Sequence, residues 1–133
     1  MKNILERFCE AIAYPDSVPD GATAVTLRVD GSDVLLRILG KRLVISRVID
    51  RDENDLPQLT AYAVGRILKE EAVLAWDERL SACVLWQELS EDANSEQLTK
   101  FFEDFMHSCD WWVDRAEELN APPTVFPDIV IRP

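Results

Sequence analysis

The chain of 133 residues contains one histidine, His107, and three cysteines that could act as nucleophiles or metal ligands. Cys109 follows His107 by two positions in a segment with helical spacing, and residues two apart on a helix do not face each other. Cys9 lies on an apolar helical stripe and Cys83 in a predicted strand, where a free cysteine acts as a small apolar side chain. The sequence has no Cys-x-x-Cys pair, so we expect no structural zinc site, and we expect His107 on a helix surface.

A run of acidic residues shares part of the ligand pattern of a calcium-binding loop. Asp50, Asp52 and Asn54 would occupy the first, third and fifth positions of such a loop. The sixth position requires glycine but is Asp55, and the twelfth requires glutamate but is Ala61. We therefore interpret the run as a solvated turn that ends in a helix cap, and we predict no metal and no cofactor.

Motifs that would support an enzyme are missing from the sequence as well. The four glycines are scattered along the chain, at Gly21, Gly31, Gly40 and Gly65. They do not form a phosphate-binding loop, and no serine occupies a nucleophile elbow. We predict that the chain is not an enzyme.

The charge balance bears on the partners that the chain can have. It carries 25 Asp and Glu against 14 Lys and Arg, a net charge of −11. Proteins that bind duplex nucleic acid or anionic membranes need a basic face, which this composition does not supply. No apolar run approaches the roughly 18–20 residues of a membrane helix, and charge interrupts the first fourteen residues too early for a signal peptide. An odd number of cysteines indicates a reducing compartment, so we predict a cytoplasmic protein that contacts neither nucleic acid nor membrane.

Apolar periodicity divides the chain into three helices and five strands. Helical spacing predicts an amphipathic helix over residues 1–14, a second from Asp55 to about Lys69, and a third that starts near Asn94 and continues for about 25 residues. Alternating and β-branched stretches predict strands at Ala22–Val29, Val34–Leu39, Leu43–Ile49, Val73–Trp76 and Leu80–Leu89. Strands grouped in runs indicate an α+β fold with an antiparallel twisted sheet, in the order α-β-β-β-α-β-β-α. We predict one domain over residues 1–120 and a proline-rich extended tail over residues 121–133.

The third predicted helix carries more aromatic residues than one apolar stripe can hold. Phe101 and Phe102 point about 100° apart, as do Trp111 and Trp112. Either the helix crosses the sheet inside the core with one tryptophan partly exposed, or it contributes to a dimer or partner contact. The first helix, which contains Phe8, has the same two interpretations.

An acidic chain with this element order resembles the class I type III secretion chaperones, the Tir-chaperone family. The resemblance covers about residues 1–119 and rests on the amphipathic start Ile4–Ile12, the strands Val34–Leu39 and Leu43–Ile49, the hairpin within Ala72–Leu89 and the closing aromatic helix. Two features depart from the family pattern. The turn Asp77–Arg79 lacks the glycine often found there, and the tail over residues 121–133 has no obvious counterpart.

The resemblance implies a homodimer, or a heterodimer with a related chaperone, that binds the N-terminal segment of a secreted effector. Such a chaperone needs no nucleotide and keeps the bound segment extended, soluble and ready for export. Mapped onto this sequence, the implied effector-binding surface comprises Ile4, Leu5, Phe8, Ile12, Leu36, Ile38 and Val44. The implied dimer contact comprises Leu59, Tyr62, Ala63, Arg66, Ile67 and Trp76.

Two other classes of function fit parts of the sequence. A regulatory or immunity-type domain on a similar scaffold would bind a folded partner through one compact acidic or aromatic patch. A small-molecule-binding or enzymatic domain would instead need a deep pocket that encloses His107 beside a carboxylate such as Asp104 or Asp110.

Overall fold

Helices and strands follow one another in the order α-β-β-β-α-β-β-α, which confirms the predicted α+β class. The structure is a computed structural model that describes residues 2–66 and 71–120. Its helices are α1 (Ile4–Ala11), α2 (Leu56–Arg66) and α3 (Ser95–Asn120), and a short 3-10 helix, Glu53–Asp55, precedes α2. Its strands are β1 (Ala24–Val29), β2 (Ser32–Leu39), β3 (Arg42–Asp50), β4 (Val73–Asp77) and β5 (Ala82–Ser90). The predicted continuation of the second helix to about Lys69 and the predicted tail over residues 121–133 lie outside the described residues.

Side-chain caps explain where α1 and α3 begin. The Asn3 side-chain oxygen accepts a hydrogen bond from the Glu6 N–H at 2.9 Å, and the Glu6 carboxylate accepts one from the Asn3 N–H at 3.0 Å. Asn94 and Gln97 exchange the same pair of bonds at 2.8 Å each, at the helix start that the sequence predicts near Asn94. These capping boxes satisfy backbone N–H groups that a helix start otherwise leaves unpaired.

The strands form one antiparallel sheet in the order β1-β2-β3-β5-β4. Asp30 and Gly31 join β1 to β2 with φ angles of 49° and 80°, and a tight turn between twisted strands requires such positive angles. A bulge between Val48 and Asp50 shifts the pairing of β3 with β5. Elsewhere successive side chains point to opposite sides, so each strand contributes residues to both faces of the sheet.

One face of the sheet packs against α1 and α3 and forms the core. Its strands contribute fully buried side chains that include Leu27, Leu36, Ile45 and Leu85. The helices cover them with Leu5, Phe8, Leu98, Phe105, Cys109 and Trp112. Trp111, one residue before the buried Trp112, is only partly buried and faces α2. The structure thus agrees with a core role for α3 in which one tryptophan stays partly exposed.

The opposite face of the sheet carries no helix among the described residues. We call it the open face. It is formed by the alternate strand residues Leu35, Arg37, Leu39, Val44, Ser46, Val73, Ala75, Val84, Trp86 and Glu88.

Candidate protein-binding surface

A concave cavity of about 800 Å³ lies over the open face. Its floor is the strand surface, and its rim includes the β4–β5 turn from Asp77 to Leu80. The volume lies within the range of about 300–1,000 Å³ that is typical of ligand sites, and the strand surface gives it the shape of a shallow trough. A trough of this shape is suited to side chains of another polypeptide.

The trough is largely apolar and exposes large side chains to solvent. Leu39 is 50% exposed, Leu80 46% and Val73 45%, and all three lie on the open face or its rim. Among the described residues, Val64 on α2 is the other large hydrophobic residue with comparable exposure. A contiguous apolar patch of this kind marks an interaction surface more often than scattered single residues do.

Backbone and side-chain contacts hold the rim of the trough in place. The Asp77 carboxylate accepts hydrogen bonds from the N–H groups of Arg79 at 2.9 Å and Leu80 at 3.3 Å. Ser81 adopts a positive φ of 49°, the conformation that glycine would more readily supply in this turn. Ser81 thus supplies the left-handed conformation of this turn, and the Asp77 carboxylate binds two of its backbone N–H groups.

Two arginines on the open face differ in their partners. Arg42 pairs with the Glu88 carboxylate at 2.8 Å across β3 and β5. The Nε of Arg37 is buried on the trough floor and has no hydrogen-bond partner within the described part of the chain. Because a buried donor without an acceptor costs free energy, this N–H favours a bound group that brings a carbonyl or carboxylate oxygen.

The residues implied as effector contacts do not form one exposed surface. Ile4, Leu5, Phe8 and Leu36 are buried in the core, and Ile12 and Ile38 are partly buried against it. Of the seven, only Val44 lines the trough. Leu36 and Ile38 are not in the trough because alternate residues of β2 point to opposite faces of the sheet. These two side chains point to the core, whereas the open face receives those of Leu35, Arg37 and Leu39. In this structure of a single chain, their role as contacts stays a prediction.

The residues implied as dimer contacts lie mainly on α2. Leu59 is buried, whereas Tyr62, Ala63 and Arg66 are partly buried. The Arg66 guanidinium carbon lies 3.8 Å from the centroid of the Trp111 ring, and Tyr62 meets that ring edge-on at 6.1 Å.

Two of the implied dimer residues lie elsewhere. Trp76 borders the trough, and Ile67 lies outside the described residues. Val64, which is 69% exposed and lies within α2, is not among the residues predicted from the sequence.

Residues that could do chemistry are dispersed. His107 is exposed on α3, and the nearby Asp104 carboxylate pairs with the Lys100 ammonium at 2.7 Å. The described residues contain no group of three or more His, Cys, Asp or Glu side chains that could hold a metal ion. All three cysteines are buried, and burial raises the pKa of the thiols of Cys9 and Cys83. In residues 2–66 and 71–120, no helix is both long and apolar enough to span a membrane.

Comparisons of sequence found no match: neither a protein-family model nor the sequence of a curated protein aligns with the chain. Comparisons of structure found several. A chain of the HopA1–SchA chaperone–effector complex superposes with a TM-score of 0.66 at 19% identity, covering 84% of this chain and 91% of that one. A chain of the ExoU–SpcU heterodimer from the type III secretion system of Pseudomonas aeruginosa gives 0.64 at 14% identity, covering 79% and 93%. YbjN from E. coli gives 0.65 at 15% identity, covering 89% and 93%.

These similarities extend over most of each chain, so they concern the whole α+β domain rather than a local motif. The fold is that of type III secretion chaperones, and YbjN shares it. The identities of 14–19% show common architecture, whereas the partner of this chain has to be inferred from its own surface.

Proposed function

We propose that the chain is a non-enzymatic type III secretion chaperone that binds the N-terminal segment of an effector and keeps it extended, soluble and competent for export. The observation that carries the proposal is the apolar trough on the open face, in a fold shared with a chain of a chaperone–effector complex. We further propose that the working form is a dimer, with a second copy or a related chaperone.

The trough suits an extended segment better than a folded partner. Side chains of an extended chain alternate, so every second residue can enter the trough between Leu39 and Leu80. Ordering such a segment costs about 2–5 kcal/mol, which burial of exposed apolar surface must exceed. The exposed side chains of Leu39, Val73 and Leu80 supply surface for this purpose.

The net charge of −11 supports the same role. A protein that exposes an apolar trough would tend to associate with other copies, and mutual repulsion between strongly acidic chains opposes this. The charge therefore lets the trough stay available to a specific partner.

The proposal is tested with a double variant, Leu39→Asp with Leu80→Asp, co-expressed with tagged N-terminal segments of candidate effectors. Both side chains are about half exposed, so the charges should be tolerated in the free chain. Removing both contacts should weaken binding of a retained segment at least about tenfold, as measured by titration calorimetry.

The matched control is Gln58→Asp with His107→Asp, which adds the same two negative charges at exposed positions on helices. We expect the control to bind like the parent chain. Equal weakening of binding in both variants would show that the added charge, and not the loss of trough contacts, causes the effect. Unchanged binding in the trough variant would show that the open face does not bind the segment. A chain that retains no segment but captures a folded partner would favour the regulatory alternative.

A further inference from the structure

We propose that the thirteen residues after α3, Ala121–Pro133, dock on the open face of their own chain and occupy the trough until a partner displaces them. The inference that this docking competes with an effector rests on the proposed function. The docking itself rests on the position of α3, on the sequence of the tail and on the unfilled trough.

The path of α3 brings its last residues to the end of the sheet that carries the rim of the trough. β5 ends at Ser90 and α3 begins at Ser95, so α3 runs back across the sheet toward the end where β5 begins. That end carries the β4–β5 turn, and there an Arg51 guanidinium N–H donates to the Leu80 carbonyl at 3.1 Å. α3 also contacts the 3-10 helix that follows Arg51. The chain therefore leaves Asn120 near the end of the sheet where Leu80 forms the rim of the trough.

The tail is long enough to reach the open face from there. Thirteen extended residues span about 43 Å. A five-stranded sheet is only about 20 Å wide between its edge strands, because neighbouring strands are about 4.8 Å apart. The tail can therefore pass around the end of the sheet and still cover the trough.

The tail sequence has one apolar side in an extended conformation. Residues of one parity are Val125, Pro127, Ile129 and Ile131. Residues of the other parity are Phe126, Asp128, Val130 and Arg132. The first set is wholly apolar and matches a trough floor that contains Leu35, Val84 and Trp86.

The prolines of the tail and the buried Arg37 Nε–H both favour an extended tail in the trough. Four prolines, at positions 122, 123, 127 and 133, favour an extended backbone and reduce the entropy lost when the tail is ordered. An extended backbone also presents carbonyl oxygens, and one of them would accept the hydrogen bond from the buried Arg37 Nε. Covalent attachment raises the effective concentration of the tail well above that of a separate copy.

The test uses the full chain with a nitroxide label at Thr124→Cys. The native thiols are buried, so the label attaches selectively to the new cysteine. Docking should broaden the amide signal of Val73 and the Trp86 indole signal, since both residues lie several positions along the strands from the β4–β5 turn. The signal of His107, exposed on α3, should be much less affected.

Two tail variants distinguish specific docking from a chance encounter. Ile129→Asp with Ile131→Asp should abolish the broadening, because both charges would face the trough. Phe126→Asp with Val130→Asp adds the same charge on the opposite parity and should preserve it. Equal loss in both variants, or no broadening in the parent chain, would overturn the proposal. So would broadening seen only when spin-labelled and isotope-labelled chains are mixed, since that would place the tail on another copy.

Competition with an effector is measured separately from docking. If the tail occupies the trough nine-tenths of the time, the Ile129→Asp, Ile131→Asp variant should bind an effector N-terminal segment about tenfold more tightly than the parent chain. Unchanged affinity together with observed docking would overturn the competitive role. Effector binding without docking would leave the proposed function standing and end this inference. Docking of the tail without binding of any effector segment would support this inference and contradict the proposed function.

Discussion

At the scale of single residues, Cys83 shows how burial determines reactivity. Its side chain is almost fully buried at the start of β5, opposite Asp50 of β3. Burial, and secondarily the negative charge of Asp50, raise the pKa of the thiol to about 11 from its ordinary value of 9.0. The thiolate is the nucleophilic form, so Cys83 is unreactive at neutral pH.

We expect none of the three thiols to react quickly with a disulfide reagent at pH 8 in the native chain, and all three to react in denaturant. The raised pKa also links stability to pH: the contribution of Cys83 is fully present below pH 9 and is lost as the pH rises toward 11. Thiol titration with and without urea, and urea unfolding at pH 8 and pH 10.5, measure both effects. Fast reaction of one thiol in the native chain at pH 8 would contradict the buried position.

At the scale of elements, α1 belongs to the core rather than to the surface. Phe8 is fully buried, and its ring meets those of Phe101 and Phe102 edge-on at 6.3 and 5.7 Å. Glu10 of α1 is exposed and forms an ion pair in solvent with Lys2, which precedes the helix.

Phe8→Asp should therefore unfold the chain, because an unpaired charge in the core costs several kcal/mol. Circular dichroism and urea unfolding would show the loss of structure. Phe8→Leu, which keeps an apolar side chain, should leave the chain folded with lower stability. A folded Phe8→Asp variant that fails to bind an effector segment would instead show that α1 is a docking surface.

Local patterns predict most of this fold, whereas non-local packing decides the site. The start of the third helix near Asn94 follows from residues within a few positions of one another, and it is found as predicted. β2 is apolar on both parities, with Leu35 and Leu39 on one side and Leu36 on the other. The sequence of β2 alone does not determine which of its sides faces α1 and α3, because these helices are distant from β2 in the sequence. The sequence therefore does not reveal the trough.

At the scale of the whole molecule, an exposed apolar side chain on α2 bears on assembly. Val64 is 69% exposed, although Leu59 on the same helix is buried in the core and Tyr62 meets the Trp111 ring of α3. A second copy placed against α2 would bury Val64 and leave the trough open. The two surfaces can therefore be tested independently.

Light scattering should give a mass near twice 15.2 kDa for the parent chain. Val64→Asp should shift the mass toward that of one chain, because dimerisation would bury an unpaired charge. His107→Asp, an exposed change on α3, should keep the parent mass. A monomeric parent chain at micromolar concentration, or a dimeric Val64→Asp variant, would exclude a dimer through this face of α2.

The packing of α1 also has a consequence for synthesis on the ribosome. Arg7 of α1 donates to the backbone carbonyls of Glu91 and Ala93, and Phe8 of the same helix finds aromatic neighbours in α3. Helix α1 thus obtains much of its cover from residues translated more than eighty positions later. Until α3 has left the ribosomal exit tunnel, Leu5 and Phe8 lack this cover and are exposed to aggregation or to binding by chaperones. A nascent chain stalled before α3 cannot complete this core, so folding of the domain must await the synthesis of α3.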